Sequence, residues 1–247
     1  FVGSFPHLAY GTPRKLPKPD TLPGRVVVLD VAFAANAGGA SYEKTTLPFV
    51  KGLGDRLAMW VDHHDHERHA DFAGDPRFVL RTKAEHGACP EMVTPERVAW
   101  AGPVDTICCH VDFDGLCSAA KWIRGGIEPY PGADDDARAI DTRLGVPTER
   151  ARVLDRALRA RPRDEALRGL MVRYLADGAT DAALYREFQE ASRALEAMER
   201  EAKRLSARYE VREGLAICDA TRRDGPYDKT ELLLIGQRLA PISLVHD

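Results

Sequence analysis

No Cys-x-x-Cys pair occurs in this chain, and its five cysteines, Cys89, Cys108, Cys109, Cys117 and Cys218, are odd in number. That argues against a disulfide framework and a thiolate zinc site, and a reducing cytoplasm fits best. The adjacent Cys108 and Cys109 read as small apolar residues of a buried strand. Long apolar runs are missing: none approaches the ~20 residues a membrane helix needs, so no membrane partner is expected. A charged-then-apolar leader is missing as well. The first residue is Phe1 and not Met, which implies residues upstream. Net charge is −3, so no global basic field recruits nucleic acid, and any such binding needs a local patch. Internal repeats and low-complexity segments are also lacking. What remains, 247 residues that are 44% hydrophobic and 30% charged, suits one large globular domain or two small ones.

Histidine, by contrast, is concentrated. Six of eight (His63, His64, His66, His69, His86 and His110) fall within residues 63–110. The apolar run Leu57 to Val61 ends in Asp62-His63-His64, and the run Val104 to Cys109 ends in His110-Val111-Asp112-Phe113-Asp114-Gly115. A third run, Arg25 to Leu29, ends in Asp30. Strands that end in His and Asp can aim their ligands at one shared place, which is how a site for two divalent cations is built.

The periodicity predicts an α/β fold: a mainly parallel sheet flanked by helices, then a helical segment and the start of a small second α/β unit. Residues 1–24, rich in Pro and Gly, read as an irregular lead-in. Residues 25–180 form the main domain. Strands are expected at Arg25–Leu29, Leu57–Val61, Arg77–Arg81 and Val104–Cys109, with a short helix over Thr45–Leu57. A helix through Leu116, Ala119, Ala120 and Ile123 stops at Gly125-Gly126. Thr148 caps a helix to Arg161, Arg163 to Ala176 forms another, and Thr180 or Asp181 caps a long one to Tyr209. Residues 181–210 thus link to a partial unit at 211–247, which breaks off at Asp247 after a strand at Pro241–Val245. Leu232 to Ile235 fits a strand or a helical turn.

In open α/β sheets ligands gather beyond the carboxyl ends of the strands, so topology alone can bring Asp30, Asp62 and His110 together. In His110-x-Asp112-x-Asp114 an extended backbone would point alternate side chains to one side. Asp30 could bridge two cations. Consecutive His63 and His64 point apart, so one can bind metal while its neighbour faces substrate, with Asp62 fixing a ring tautomer. Ser118 is expected in the first turn of the following helix, where free N–H groups favour phosphate. Carboxylates with a few imidazoles suit Mn²⁺, two ions, with Mg²⁺ the less comfortable substitute. His66 and His69 read as exposed loop residues, and His86 as a substrate contact or a loop hydrogen bond.

As a set, these motifs resemble the DHH phosphoesterases, a family that includes RecJ-like exonucleases, oligoribonucleases, cyclic-dinucleotide phosphodiesterases and family II pyrophosphatases. Asp62-His63-His64 resembles the name-giving motif, His110 to Ala119 the His-x-Asp-x-Asp-Gly motif, and Val26 to Asp30 the strand with a bridging Asp. Their order departs from the family: the lone Asp comes first and His-x-Asp-x-Asp last. A circular permutation accounts for this, as would convergent motifs. The resemblance implies His110, Asp112 and Asp30 on one Mn²⁺, and Asp114, Asp30 and His63 on the other. It implies His64 against the scissile phosphate, and a further ligand Asp, placed at Asp141 with Asp136 as runner-up. The rest of the acidic run Asp134-Asp135-Asp136 reads as a solvated loop, and Arg143 as an aid to phosphate binding or a plain surface residue. The family's Gly-Gly-Gly-His-like substrate element does not occur.

The expected activity is therefore Mn²⁺-dependent hydrolysis of phosphodiesters by an activated water, with a nucleotide or short single-stranded oligonucleotide as substrate. A phosphomonoesterase, pyrophosphatase or cyclic-dinucleotide phosphodiesterase would use the same chemistry. A metal- or nucleotide-binding regulatory module without turnover is the alternative from another class.

Overall fold

Val26-Val27-Val28-Leu29 has no polar alternation, so a strand made of it must be covered on both faces. In the computed structural model, which describes residues 5–247, this run is β2 (Val26–Leu29), the middle strand of a five-stranded sheet. It lies between β3 (Leu57–Asp62) and β5 (Thr106–Cys109). β4 (Phe78–Leu80) and β1 (His7–Tyr10) are the edges of the order β1-β5-β2-β3-β4, and every pairing is parallel. β1 corrects the irregular lead-in expected for residues 1–24, of which 1–4 lie outside the described residues. Four residues between Pro6 and Gly11 carry too weak a pattern to announce a strand, and pairing with β5 makes one of them.

The two sides of the sheet are sorted by the pleat. Val27, Leu29, Met59, Val61, Ile107 and Cys109 face one core, covered by α2 (Pro95–Ala101), α3 (Phe113–Ile123), α4 (Ala133–Thr142), α5 (Glu149–Ala160) and α6 (Glu165–Ala176). Val26, Val28, Trp60 and Cys108 face the other, covered by α1 (Leu47–Leu53) and the segment around Phe33. The helix expected over Thr45–Leu57 is thus shorter. It ends at Gly54, which takes a positive φ of 52°.

Side-chain caps set the later helices. Thr148 Oγ1 accepts from Ala151 N–H, Asp164 Oδ1 from Leu167 N–H, and Asp181 Oδ1 from Ala183 and Leu184 N–H. The last of these opens α7 (Ala182–Ser206), whose Phe188 and Ala191 sit in the first core. Its far end, Ala202 and Leu205, packs with Cys218, Tyr227 and Leu232 of a separate small core. That core lies under a second sheet of order β6-β7-β8: β6 (Tyr209–Arg212), β7 (Leu215–Asp219) and β8 (Ile242–His246), with α8 (Lys229–Gln237). Leu232 to Ile235 is helical. No described helix is long and apolar enough to cross a membrane.

The connections decide where the sheet can receive a ligand. From β2 the chain moves to β3 and β4, then returns to β5 on the other flank of β2. The crossovers beside β2 therefore diverge, and a crevice opens at the carboxyl ends of β2, β3 and β5.

Candidate metal centre

Asp30, the first residue beyond β2, sits at the middle of that crevice. Its N–H donates to Val61 O (2.9 Å), and its backbone takes a left-handed φ of 59°. Asp tolerates this region better than most residues, yet it still costs on the order of 1 kcal/mol, which points to a constrained functional position. The side chain is 1% exposed. Burial, reinforced by the carboxylates of Asp112 and Asp62, holds its pKa well above the ordinary range.

β3 delivers Asp62-His63-His64. His63 is fully buried, and its Nδ1 lies 3.0 Å from the carbonyl oxygen of His86. A carbonyl only accepts, so Nδ1 carries the proton and, in the neutral ring, Nε2 carries a lone pair. That lone pair faces two carboxylates: Asp30 Oδ1 at 3.3 Å and Asp114 Oδ2 at 3.4 Å. His64 is 30% exposed, with Nδ1 2.9 Å from Oδ1 of buried Asp62 and 3.9 Å from Asp30 Oδ1. Asp62 therefore fixes the tautomer of His64 and leaves its Nε2 for other work.

β5 delivers His110, and the turn into α3 delivers two aspartates. Here the backbone corrects the expected extended spacing. Asp112 is the cap of α3, its Oδ1 accepting from Gly115 N–H at 3.0 Å, and Asp114 already lies in the first helical turn. A cap and a first-turn residue converge through the curl of the chain and not through strand alternation. His110 Nδ1 lies 2.8 Å from Asp112 Oδ2 but off the line for a hydrogen bond, so the two atoms stand side by side. Burial pushes the His110 pKa down, but the neighbouring Asp112 outweighs it and leaves it raised. Asp114 accepts from the Cys89 N–H through both oxygens, at 3.1 and 3.2 Å. Burial, with Asp30 next in effect, holds the Asp114 pKa well above its usual value. Gly115 makes the approach possible: a Cβ there would lie 2.6 Å from His110 O.

Asp30 belongs to three separate ligand groupings, with His63 and His64, with Cys89 and Asp114, and with His110 and Asp112. Asp141, near the end of α4, joins His63 and Asp114 in a fourth; within each grouping the ligand atoms lie within 4.8 Å of one another. Three of the buried atoms here, Asp30 Oδ1, His63 Nε2 and His110 Nδ1, have no hydrogen-bond partner. Buried polar atoms left without partners are costly, and a proton or a metal cation among them would satisfy them. This donor set, mostly carboxylate oxygen with imidazole nitrogen, fits Mn²⁺. Cys89 is a poor ligand, since its Sγ–H donates to Val61 O and burial pushes the thiol pKa well up.

The structure brings Asp30, Asp62, His63, His64, His110, Asp112, Asp114 and Asp141 together, and gives the side chains of three other expected residues different surroundings. Ser118 is in the second turn of α3, fully buried with an unpartnered hydroxyl, and cannot meet a phosphate. The helix end it was expected to serve is closed by the Asp112 cap. Arg143 is exposed beyond α4 and lines a neighbouring cleft with Arg152, Arg156 and Arg159. His86 contributes its main-chain carbonyl to His63, while its ring faces Glu91 at 3.3 Å. Other expectations also change. Asp134 to Asp136 open α4 instead of forming a solvated loop. Asp134 pairs with Lys121, and buried Asp136 accepts from Thr148 and Tyr130, which excludes it as a ligand. His66 and His69 are half-buried against Phe33.

Sequence reasoning missed the Cys89 amide and Lys83, whose Nζ is 2.6 Å from Asp141 Oδ2. A main-chain donor leaves no trace in the letters, and nothing marks Lys83 among ordinary surface lysines. Compared with known proteins, the chain matches no family model, no curated protein and no solved structure.

Proposed function

We propose that this chain is a Mn²⁺-dependent phosphoesterase of the DHH kind, with its motifs in circularly permuted order, that hydrolyses phosphodiester bonds in short oligonucleotides or single-stranded nucleic-acid ends. The observation that carries the reading is the lone pair of His63 Nε2 facing the buried Asp30 and Asp114 carboxylates. His110, Asp112 and Asp30 would hold one ion; His63, Asp114 and Asp30, with Asp141, the other. Bound there, the pair would supply Lewis acidity toward a phosphoryl oxygen and a nucleophilic water.

The chain's own residues have separate tasks. Asp30 is shared between the ligand sets, and its forced φ holds it between them. The His86 carbonyl and the Cys89 amide orient His63 and Asp114, so neither ligand needs to reorganise on binding. His64, whose Nδ1–H is held by Asp62 and whose ring is open to solvent, would in its imidazolium form donate the Nε2 proton to a phosphate or leaving oxygen.

The test is hydrolysis of bis(p-nitrophenyl) phosphate by chelator-treated protein on adding back Mn²⁺. Products from dinucleotides, longer single strands, pyrophosphate and cyclic dinucleotides would then define the substrate. Turnover restored by Mn²⁺ supports the reading, and equal rates in chelator overturn it.

A further inference from the structure

A cavity of about 440 Å³ opens directly beside His64, and the proposed reaction has not used it. Its wall is mainly apolar: Pro13, Ala32, Phe33, Ala35 and Ala37. These residues come from the segment after β2 and from the tight turn Thr12–Lys15, closed by the pair of hydrogen bonds between Thr12 and Lys15 (both 2.9 Å). Its polar lining is His64, Asp65, His66, Lys83 and Arg14. Most of these groups are engaged. Lys83 Nζ pairs with Asp141, the Asp65 carboxylate faces the Lys83 N–H at 3.5 Å, and His66 Nδ1 accepts from Arg68 N–H. Arg14 is not: it is exposed and forms no ion pair with any described residue. Its guanidinium extends toward the facing loop, where a Cβ on Gly38 would lie 3.7 Å from Arg14 Nε.

An inorganic substrate has no use for such a wall. Apolar surface beside a reacting phosphate gains free energy only by covering apolar surface of the substrate, and the volume admits a ring-sized group. A guanidinium at the rim, unpaired in a site otherwise rich in carboxylates, is suited to an anion. We infer that this pocket holds an organic arm of the phosphodiester, ring-sized and largely apolar, and that Arg14 selects arms bearing a negative charge of their own. The inference rests on the proposed hydrolysis and narrows its substrates to organic diesters, setting aside inorganic pyrophosphate. Arg14 would act as a specificity residue, remote from the reacting atoms.

The experiment compares three p-nitrophenyl phosphodiesters under Mn²⁺, whose second arm is benzyl, 4-carboxybenzyl or 4-(aminomethyl)benzyl. In the unaltered protein, kcat/KM is expected to be about tenfold higher for the carboxylate arm than for the neutral one, and lowest for the ammonium arm. In Arg14→Ala the carboxylate advantage should vanish, and Arg14→Lys should restore part of it. Thermal unfolding of each variant checks that it is folded. A second measurement, calorimetric binding of 4-carboxybenzyl phosphate, needs no turnover. It should show about a tenfold weaker Kd in Arg14→Ala. No hydrolysis of any diester, with that Arg14-dependent binding intact, would sink the hydrolase reading and leave the pocket standing. Equal kcat/KM for the three arms, or an unchanged ranking and affinity in Arg14→Ala, would overturn the inference itself.

Discussion

Nε2 of His63 stands 3.3 Å from Oδ1 of Asp30, and neither atom has a hydrogen-bond partner. The bond from Nδ1 to the His86 carbonyl prevents the imidazole from turning a proton toward the carboxylate unless it becomes a cation. Something positive must join the two atoms, either a proton on one of them or a metal. The two differ in how the protein responds to chelation, to substitution and to pH.

Removing ligands should remove catalysis and spare the fold. Asp112→Ala and His63→Ala are each expected to lower turnover of an aryl phosphodiester by at least about 100-fold, with far-UV circular dichroism unchanged. Mn²⁺ should restore chelated wild-type protein, and Ca²⁺, which prefers six to eight oxygens, should not. Normal turnover in either variant would exclude these residues from the site.

Asp62 is a positioning residue, and its loss should read differently. Asp62→Asn keeps the volume but not the charge that holds His64 Nδ1–H. Turnover is expected to fall by about 10²-fold while Mn²⁺ affinity stays within about threefold of wild type, and the acid limb of the pH–rate profile should shift. Mn²⁺ affinity falling in step with kcat would assign Asp62 a role in metal binding instead.

Gly115 sets how closely α3 can start against His110. In Gly115→Ala the new Cβ would meet His110 O at 2.6 Å, a main-chain atom that cannot swing aside. Either His110 or the Asp112 cap must shift, and Mn²⁺ affinity should drop by about 10- to 100-fold. Wild-type affinity measured by calorimetry would show that the close approach is not needed.

Stability should depend on pH in opposite ways with and without metal. Burial and neighbouring carboxylates raise the folded pKa values of Asp30 and Asp114. The folded chain therefore keeps protons that the unfolded chain releases above about pH 4. Their favourable contribution is complete below that pH and is lost as pH rises through the folded values. Metal-free protein should melt at lower temperature at pH 8 than at pH 5. Mn²⁺ binds the deprotonated ligands, so its stabilisation should grow over the same interval. At a hundredfold excess over Kd one ion adds about 2.7 kcal/mol, or roughly 5–10 °C in Tm for a chain of this size. A metal-induced shift that is equal at both pH values would contradict the ionisation states assigned to the pair.

Much of the fold and site was legible because it is local. The β-branched run at Val26–Leu29 and the apolar run at Leu57–Val61 can only be buried strands, and a parallel sheet places their carboxyl ends together. Asp30 and His63 could thus be expected to meet from topology. The route of Asp114 could not, because Asp112 caps α3 and the spacing that looked extended is the first turn of a helix. Ser118 went astray for the same reason: α3 starts at Phe113, three residues before the expected Leu116, which carries Ser118 from the first turn into the second and from the mouth into the core. The acidic run 134–136 hides two buried partnerships, to Lys121 and Thr148, that depend on tertiary contacts 12 and more residues away. β1 exists only because β5 offers it an edge.

The most direct measurement is X-ray diffraction from crystals soaked in Mn²⁺, with anomalous data collected at the manganese edge. Two peaks about 3.5–4 Å apart are expected, one beside His110 and Asp112 and the other beside His63 and Asp114, with Asp30 between them. An anomalous map with no peak at these residues, or with manganese bound only elsewhere, would contradict the two-ion site.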